Sequence, residues 1–225
     1  MEPSESIGGN RDHISDDDEH LPSRSIGPWR IPFMTQTSAM DCGPTALAMA
    51  LGFYTQAEGQ DEPLSSVMKQ VSQTIYGEGT SKNGQDVRNN TAITSLRLAL
   101  AAKKIMSANT SASFSLKDVL FYSTSLTLDP SNMELPFYYN FADIQTLDES
   151  NKLLEEAKSA GIILHERCIS LSEILDFLRM QRVAIVLVDM NVIYSILEGR
   201  PYQGFTGHFL VVSFFTPRRT HRRDA

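Results

Sequence analysis

Cys42-Gly-Pro-Thr, followed by apolar residues at Ala46, Leu47, Ala50 and Leu51, constrains this chain more than any other stretch. Proline is pre-set for the first turn of a helix and gives up no N–H that the helix needs there. The apolar positions that follow mark one face of a 3.6-residue period. The stretch therefore predicts a helix from about 43 to 54, with Cys42 at its mouth. A thiol at a helix N-terminus sits in positive potential, which favours thiolate over thiol. Gln36 lies six residues upstream, and a side-chain amide there can donate to an oxyanion. Nucleophile and oxyanion donor are two parts of an acyl-transfer site; the third is a base.

The chain has five histidines. His13 and His20 lie in a polar N-terminus and His221 in a basic tail. His165 sits inside the expected strand Ile162–Cys168, among Ile163, Leu164 and Arg167, and reads as structural. His208 follows Gly207 and opens the hydrophobic run Phe209–Phe215. A ring at the start of a strand has rigid support while its tip is free to reach outward. His208 is therefore the candidate base.

The rest of the chain reads as alternating helices and strands. Residues 1–27, with Asp16-Asp17-Asp18-Glu19, have the composition of a disordered acidic tail. A domain is expected over 28–215, with the only tryptophan, Trp29, anchoring its start, and 216–225 form a basic tail. A short helix is expected at Leu64–Tyr76, a loop at Gly77–Gly84 and a helix at Thr91–Met106. Ser115 is expected to cap a short helix containing Leu116, Val119, Leu120 and Tyr122. Ser125–Asp129 alternates like a strand, and Phe137–Phe141 is an aromatic packing segment. Asp148–Ala160 predicts a helix ended by Gly161, and Ile162–Cys168 a strand. Ser170 and Glu173 form a capping-box pattern before another helix. The β-branched run Val183–Val188 predicts a buried strand, Gly207–Phe215 a second, and Asp189–Leu197 is left open. Helices early and strands late give an α+β class with an antiparallel sheet.

Charge and cysteine content narrow the partners. The net charge is -7. The first 25 residues carry -5 and the last ten carry +3, so the body is mildly acidic. That balance excludes nucleic acid as the main partner. The longest apolar runs are too short to span a bilayer, so no membrane is expected. Two cysteines, Cys42 and Cys168, are too few for a disulfide scaffold and fit a reducing, cytoplasmic or also nuclear setting. Neither they nor the scattered histidines have zinc-ligand spacing, and no cofactor or metal is expected.

Gln36, Asp41-Cys-Gly-Pro-Thr45 and Gly207-His-Phe209 together resemble papain-like cysteine peptidases of the bacteriocin-processing, C39-like kind. A closer resemblance takes in Leu154–Gly161, Glu166–Ile174, Val183–Asp189, Tyr202-Gln-Gly204 and Gly207-His-Phe209. It is to the guanylyl cyclase domain-containing family, which is similar in fold to those peptidases. The resemblance covers about residues 30–54 and 115–212 and leaves 55–110 as a divergent or inserted stretch. It implies a papain-like domain, N-terminal helices on an antiparallel sheet. Cys42 would be nucleophile, His208 general base and Gln36 oxyanion donor; Asp41 would fix the turn. The implied function is a thiol hydrolase acting on peptide or isopeptide bonds, with a peptide or protein substrate. The family usually has an aromatic residue where this chain has Met40. Its third triad member is expected on a strand after His208; only Asp224 falls at that distance. The reading therefore expects a truncated C-terminus and a weakened site. Two alternatives are a guanylyl cyclase making cyclic GMP from GTP and a non-catalytic protein-binding module. The cyclase reading finds no Gly-Lys-Ser/Thr phosphate loop in this sequence.

Overall fold

The Gly-Pro start gives a helix, α1, over Cys42–Ala57. The computed structural model describes residues 31–38, 40–57, 59, 62–77, 93–108, 118–127 and 146–213. The acidic tail, Trp29, most of the Gly77–Gly84 loop, the Phe137–Phe141 segment, the basic tail and Asp224 lie outside these residues.

Two more helices pack with α1: α2 (Leu64–Tyr76) and α3 (Ser95–Ala108). Leu47, Ala48 and Leu51 of α1 meet Val67 and Val71 of α2 and Leu98, Ala101 and Ile105 of α3 in one buried cluster. Close approach of α1 to α2 depends on Gly52. A Cβ there would lie 2.8 Å from Leu64 and 3.1 Å from Pro32. A second cluster forms on the other side of α3, where Leu96 and Leu100 meet Leu153 and Ala157 of α4 (Leu147–Ser159) and Ile162. Two helix starts are chemically capped. Thr146 with Glu149 on α4, and Ser170 with Glu173 on α5 (Leu171–Arg179), are both complete capping boxes.

Four strands are described: β1 (Leu120–Ser123), β2 (Ile163–Glu166), β3 (Ala184–Asp189) and β4 (Gly207–Val212). They form two separate pairs. β3 and β4 are antiparallel, with Leu187 opposite Phe209 and Asp189 opposite Gly207. β1 and β2 are parallel, in register from Leu120 opposite Ile163 to Ser123 opposite Glu166. The chain is thus a mixture of helix and strand, but the expectation of antiparallel strands alone is corrected. Parallel strands need a long crossover, and residues 124–162, including α4, supply it.

Three local expectations also change. Residues 120–123 are strand rather than helix, because their partner Ile163–Glu166 lies far along the chain. Ser125–Thr127 is bent, irregular backbone rather than a strand. There the Ser123 and Ser125 hydroxyls donate to the Ser125 and Thr127 carbonyls at 2.5 and 2.8 Å, and such local bonds compete with a ladder. The β-branched run at Val183–Val188 is half-buried rather than buried. Leu187 is 43% exposed, and no residue of β3 or β4 is fully buried. The open stretch after it is a helix, α6 (Met190–Glu198), ended by Gly199 in the left-handed conformation.

α1 lies along the β3–β4 pair. Ile185 and Phe209 pack against the α1–α3 cluster. Near the C-terminal end of α1, the Tyr54 hydroxyl accepts the Val183 N–H at 2.9 Å. At the N-terminal end, a Cβ on Gly43 would come within 3.2 Å of the Phe209 ring. Two contacts at opposite ends fix the direction: α1 runs parallel to β4, and its mouth meets the end of the sheet where β4 begins.

Candidate functional site

Cys42 is partly exposed and is a free thiol. The turn before it is tied down. The Thr37 hydroxyl donates to the Asp41 carboxylate, and the Asp41 carbonyl accepts the Thr45 N–H at 2.9 Å. Asp41 is itself buried. Gln36, by contrast, is exposed, and its side-chain amide donates to the Ser38 carbonyl at 3.1 Å. His208 is half-buried in β4, opposite Val188 of β3.

The structure therefore brings the Cys42 end of α1 and the His208 end of β4 to one edge of the sheet. No hydrogen bond joins Cys42, His208 and Gln36 to one another among the described residues. Strand alternation gives the reason for part of this. Successive side chains on a strand point to opposite faces. Phe209 faces α1, so His208 is on the other face, together with Leu210 and its cross-strand partner Val188.

The same edge carries a polar cluster. Asp189 ends β3 and caps α6. Its carboxylate accepts the Asn191 N–H at 3.0 Å, the Thr206 N–H at 3.0 Å and the Tyr202 hydroxyl at 3.0 Å. Asn191 donates to the Gly204 carbonyl at 2.6 Å and the Thr206 hydroxyl at 2.8 Å, and the Met190 N–H donates to the Thr206 carbonyl at 2.8 Å. The Thr206 N–H, then the Tyr202 hydroxyl and the Asn191 N–H, hold the Asp189 carboxyl below the usual range. The same hydrogen bond pushes the Tyr202 phenol up. This network fixes the segment that delivers Gly207 and His208 to β4. Asp189 and Tyr202 both lie in segments that carry the family resemblance, yet no spacing rule links them. The only local sign is an Asp placed to cap a helix.

A concavity lies elsewhere, between α1, α3, β1 and β3. It measures about 580 Å³. Tyr122 and His165, cross-strand partners on β1 and β2, stack at 4.4 Å, in keeping with a structural role for His165. Arg167 lies 5.1 Å over the Tyr122 ring and makes a two-point ion pair with Glu173, at 2.5 and 3.1 Å. That pair and the Ser170 donors bring the Glu173 carboxyl down to about 2. Among the described residues, no group of three or more His, Cys, Asp and Glu is placed to hold a metal ion, and no helix is long and apolar enough to cross a membrane.

Residues 112–222 match the family model described as guanylylate cyclase. The match spans all four described strands, α4 to α6, His208, Asp189 and Tyr202. It begins after α1–α3, so Gln36 and Cys42 lie outside it. No curated protein and no solved structure matched the chain.

Proposed function

We propose that the chain belongs to the guanylylate cyclase family and is a C39-like thiol hydrolase of papain-like fold, acting on peptide or isopeptide bonds in the cytoplasm. Cys42 is the nucleophile, His208 the general base and Gln36 the oxyanion donor. The observation that carries this reading is the closeness of Gly43 to Phe209, so tight that a Cβ on the glycine would lie 3.2 Å from the ring. It sets the immediate neighbours of the thiol and the imidazole in contact. The Asp189–Tyr202–Thr206 network at the same edge supports it by steadying the approach to His208. Turnover then requires the His208 ring to swing round the start of β4 toward α1, and Gln36 to leave the Ser38 carbonyl.

The test is labelling by an electrophilic peptide probe near neutral pH. Cys42 is expected to react ahead of Cys168. Cys42→Ala abolishes that reaction, and His208→Ala slows it about 10²-fold or more, the usual scale for a lost general base. A Cys42 no more reactive than Cys168 sinks the reading and leaves a non-catalytic binding module. The match over 112–222 favours a second reading, cyclisation of GTP. Cyclic GMP formed from GTP with Mg²⁺ or Mn²⁺, and unaffected by Cys42→Ala, would move the function there.

A further inference from the structure

The 580 Å³ concavity falls within the usual 300–1,000 Å³ range of small-molecule sites. Its lining is mainly apolar, including Leu51, Leu98 and Met106 from the helices and Phe121 and Ile185 from the strands. It includes neither Cys42 nor His208, so it is separate from the thiol edge. Two cations line it, and they differ. Arg167 is neutralised by Glu173. Arg182 has its guanidinium 5.6 Å over the Phe177 ring and close enough to the Tyr54 phenol to interact with it. Among the described residues, Arg182 has no carboxylate partner. The lone lining carboxylate, Asp118, is exposed and forms no ion pair with either arginine.

A half-buried guanidinium beside an apolar cavity wants an acceptor that brings its own hydrophobic body. Guanidinium binds carboxylate through paired, charge-assisted hydrogen bonds, and its planar face already rests on an aromatic ring. We propose that this cavity binds an organic carboxylate with an extended apolar body, its head on Arg182 and its chain between α1, α3 and the β1 and β3 strands. The Tyr54 hydroxyl, whose phenol burial pushes up, stays protonated beside that head. This inference does not depend on the thiol reading.

The experiment measures binding of dodecanoate, dodecanol and dodecylammonium to the full chain by calorimetry, below their micelle-forming concentrations. Dodecanoate is expected to bind saturably at one site, ahead of the alcohol, with the ammonium weakest. Arg182→Met keeps the stem and is expected to weaken dodecanoate about tenfold, the loss of one charged hydrogen-bonding partner, while dodecanol is held within about twofold. Ala102→Trp fills the cavity and is expected to remove both. If it fails to unfold cooperatively on heating, Met106→Trp is the substitute. Absent saturable binding, equal affinity for the three head groups, or full dodecanoate affinity in Arg182→Met or in a folded filled variant would overturn the proposal.

Discussion

The helices α1–α3 and the region from 146 to 213 are built to different standards of burial. In the first, Leu47, Val67 and Val71 are almost wholly removed from water, and Leu98 and Ile105 nearly so. In the second, the buried apolar residues are Leu153, Ala157, Ile162 and Leu178, while Ile196 and Leu197 of α6 are each 76% exposed. Cohesion there comes from polar geometry instead: capping boxes at Thr146 and Ser170, the Arg167–Glu173 pair and the Asp189 network. Yet the family match lies over the second region. Recognisable sequence and tight packing reside in different parts of this chain. A hydrophobic core accepts many side chains of suitable volume, whereas a cap or a three-donor carboxylate accepts few.

The contrast can be broken by substitution. Leu47→Ala is expected to cost about 3 kcal/mol, a core truncation with an unfilled cavity, whereas Leu187→Ala, at a side chain already 43% exposed beside Phe209, is expected to cost under about 1 kcal/mol. Denaturant unfolding measures both, and equal losses would erase the distinction. Gly52→Val drives atoms into Leu64 and Pro32 and is expected to cost about 1–3 kcal/mol through overpacking, read as a lowered melting temperature. Ser170→Ala removes a cap from α5 at about 1 kcal/mol; Ser170→Asp should restore most of it, since Asp caps equally well. The smallest effect is in acid. The Glu173 carboxyl lies near 2 in the folded chain against 4.5 for the free group. Its contribution is complete above pH 4.5 and drains away as pH falls toward about 2. Asp189, also held low, acts in the same direction. Glu173→Gln should flatten the melting temperature's fall across that window, and an unchanged slope would show the ion pair to be inert.

The legible parts of the fold carry their own punctuation. α2 is bounded by Pro63 and Gly77, and α5 by the Ser170 box and Arg179. Cys42 is legible as a helix start because Gly43 and Pro44 follow it. β1 is not, since Leu120, Phe121 and Tyr122 suit a helix with Val119 or a strand equally well; a distant partner decides. The half-burial of Val183–Val188 is hidden for a similar reason. A β-branched run specifies a strand, but the layers available to cover it decide how dry it becomes. At the candidate site, the sequence indicates that Cys42 and His208 belong to a helix mouth and a strand start. It does not say which face of β4 meets α1. Gly43 against Phe209 decides that, and it turns His208 to the opposite face. The Asp189–Tyr202 bond escapes for want of any periodicity between strand and loop.

One helix is shared by both standards of construction. α3 offers Leu98, Ala101 and Ile105 to the first cluster and Leu96 and Leu100 to the second. A wall common to two rooms cannot be taken down from one side only. If either cluster melts, α3 is left with one flank in water, and an isolated helix of 14 residues is marginal there. The loosely packed region thus borrows its all-or-none behaviour from the dense one, and amide exchange in α3 should report the stability of the whole chain rather than of either part.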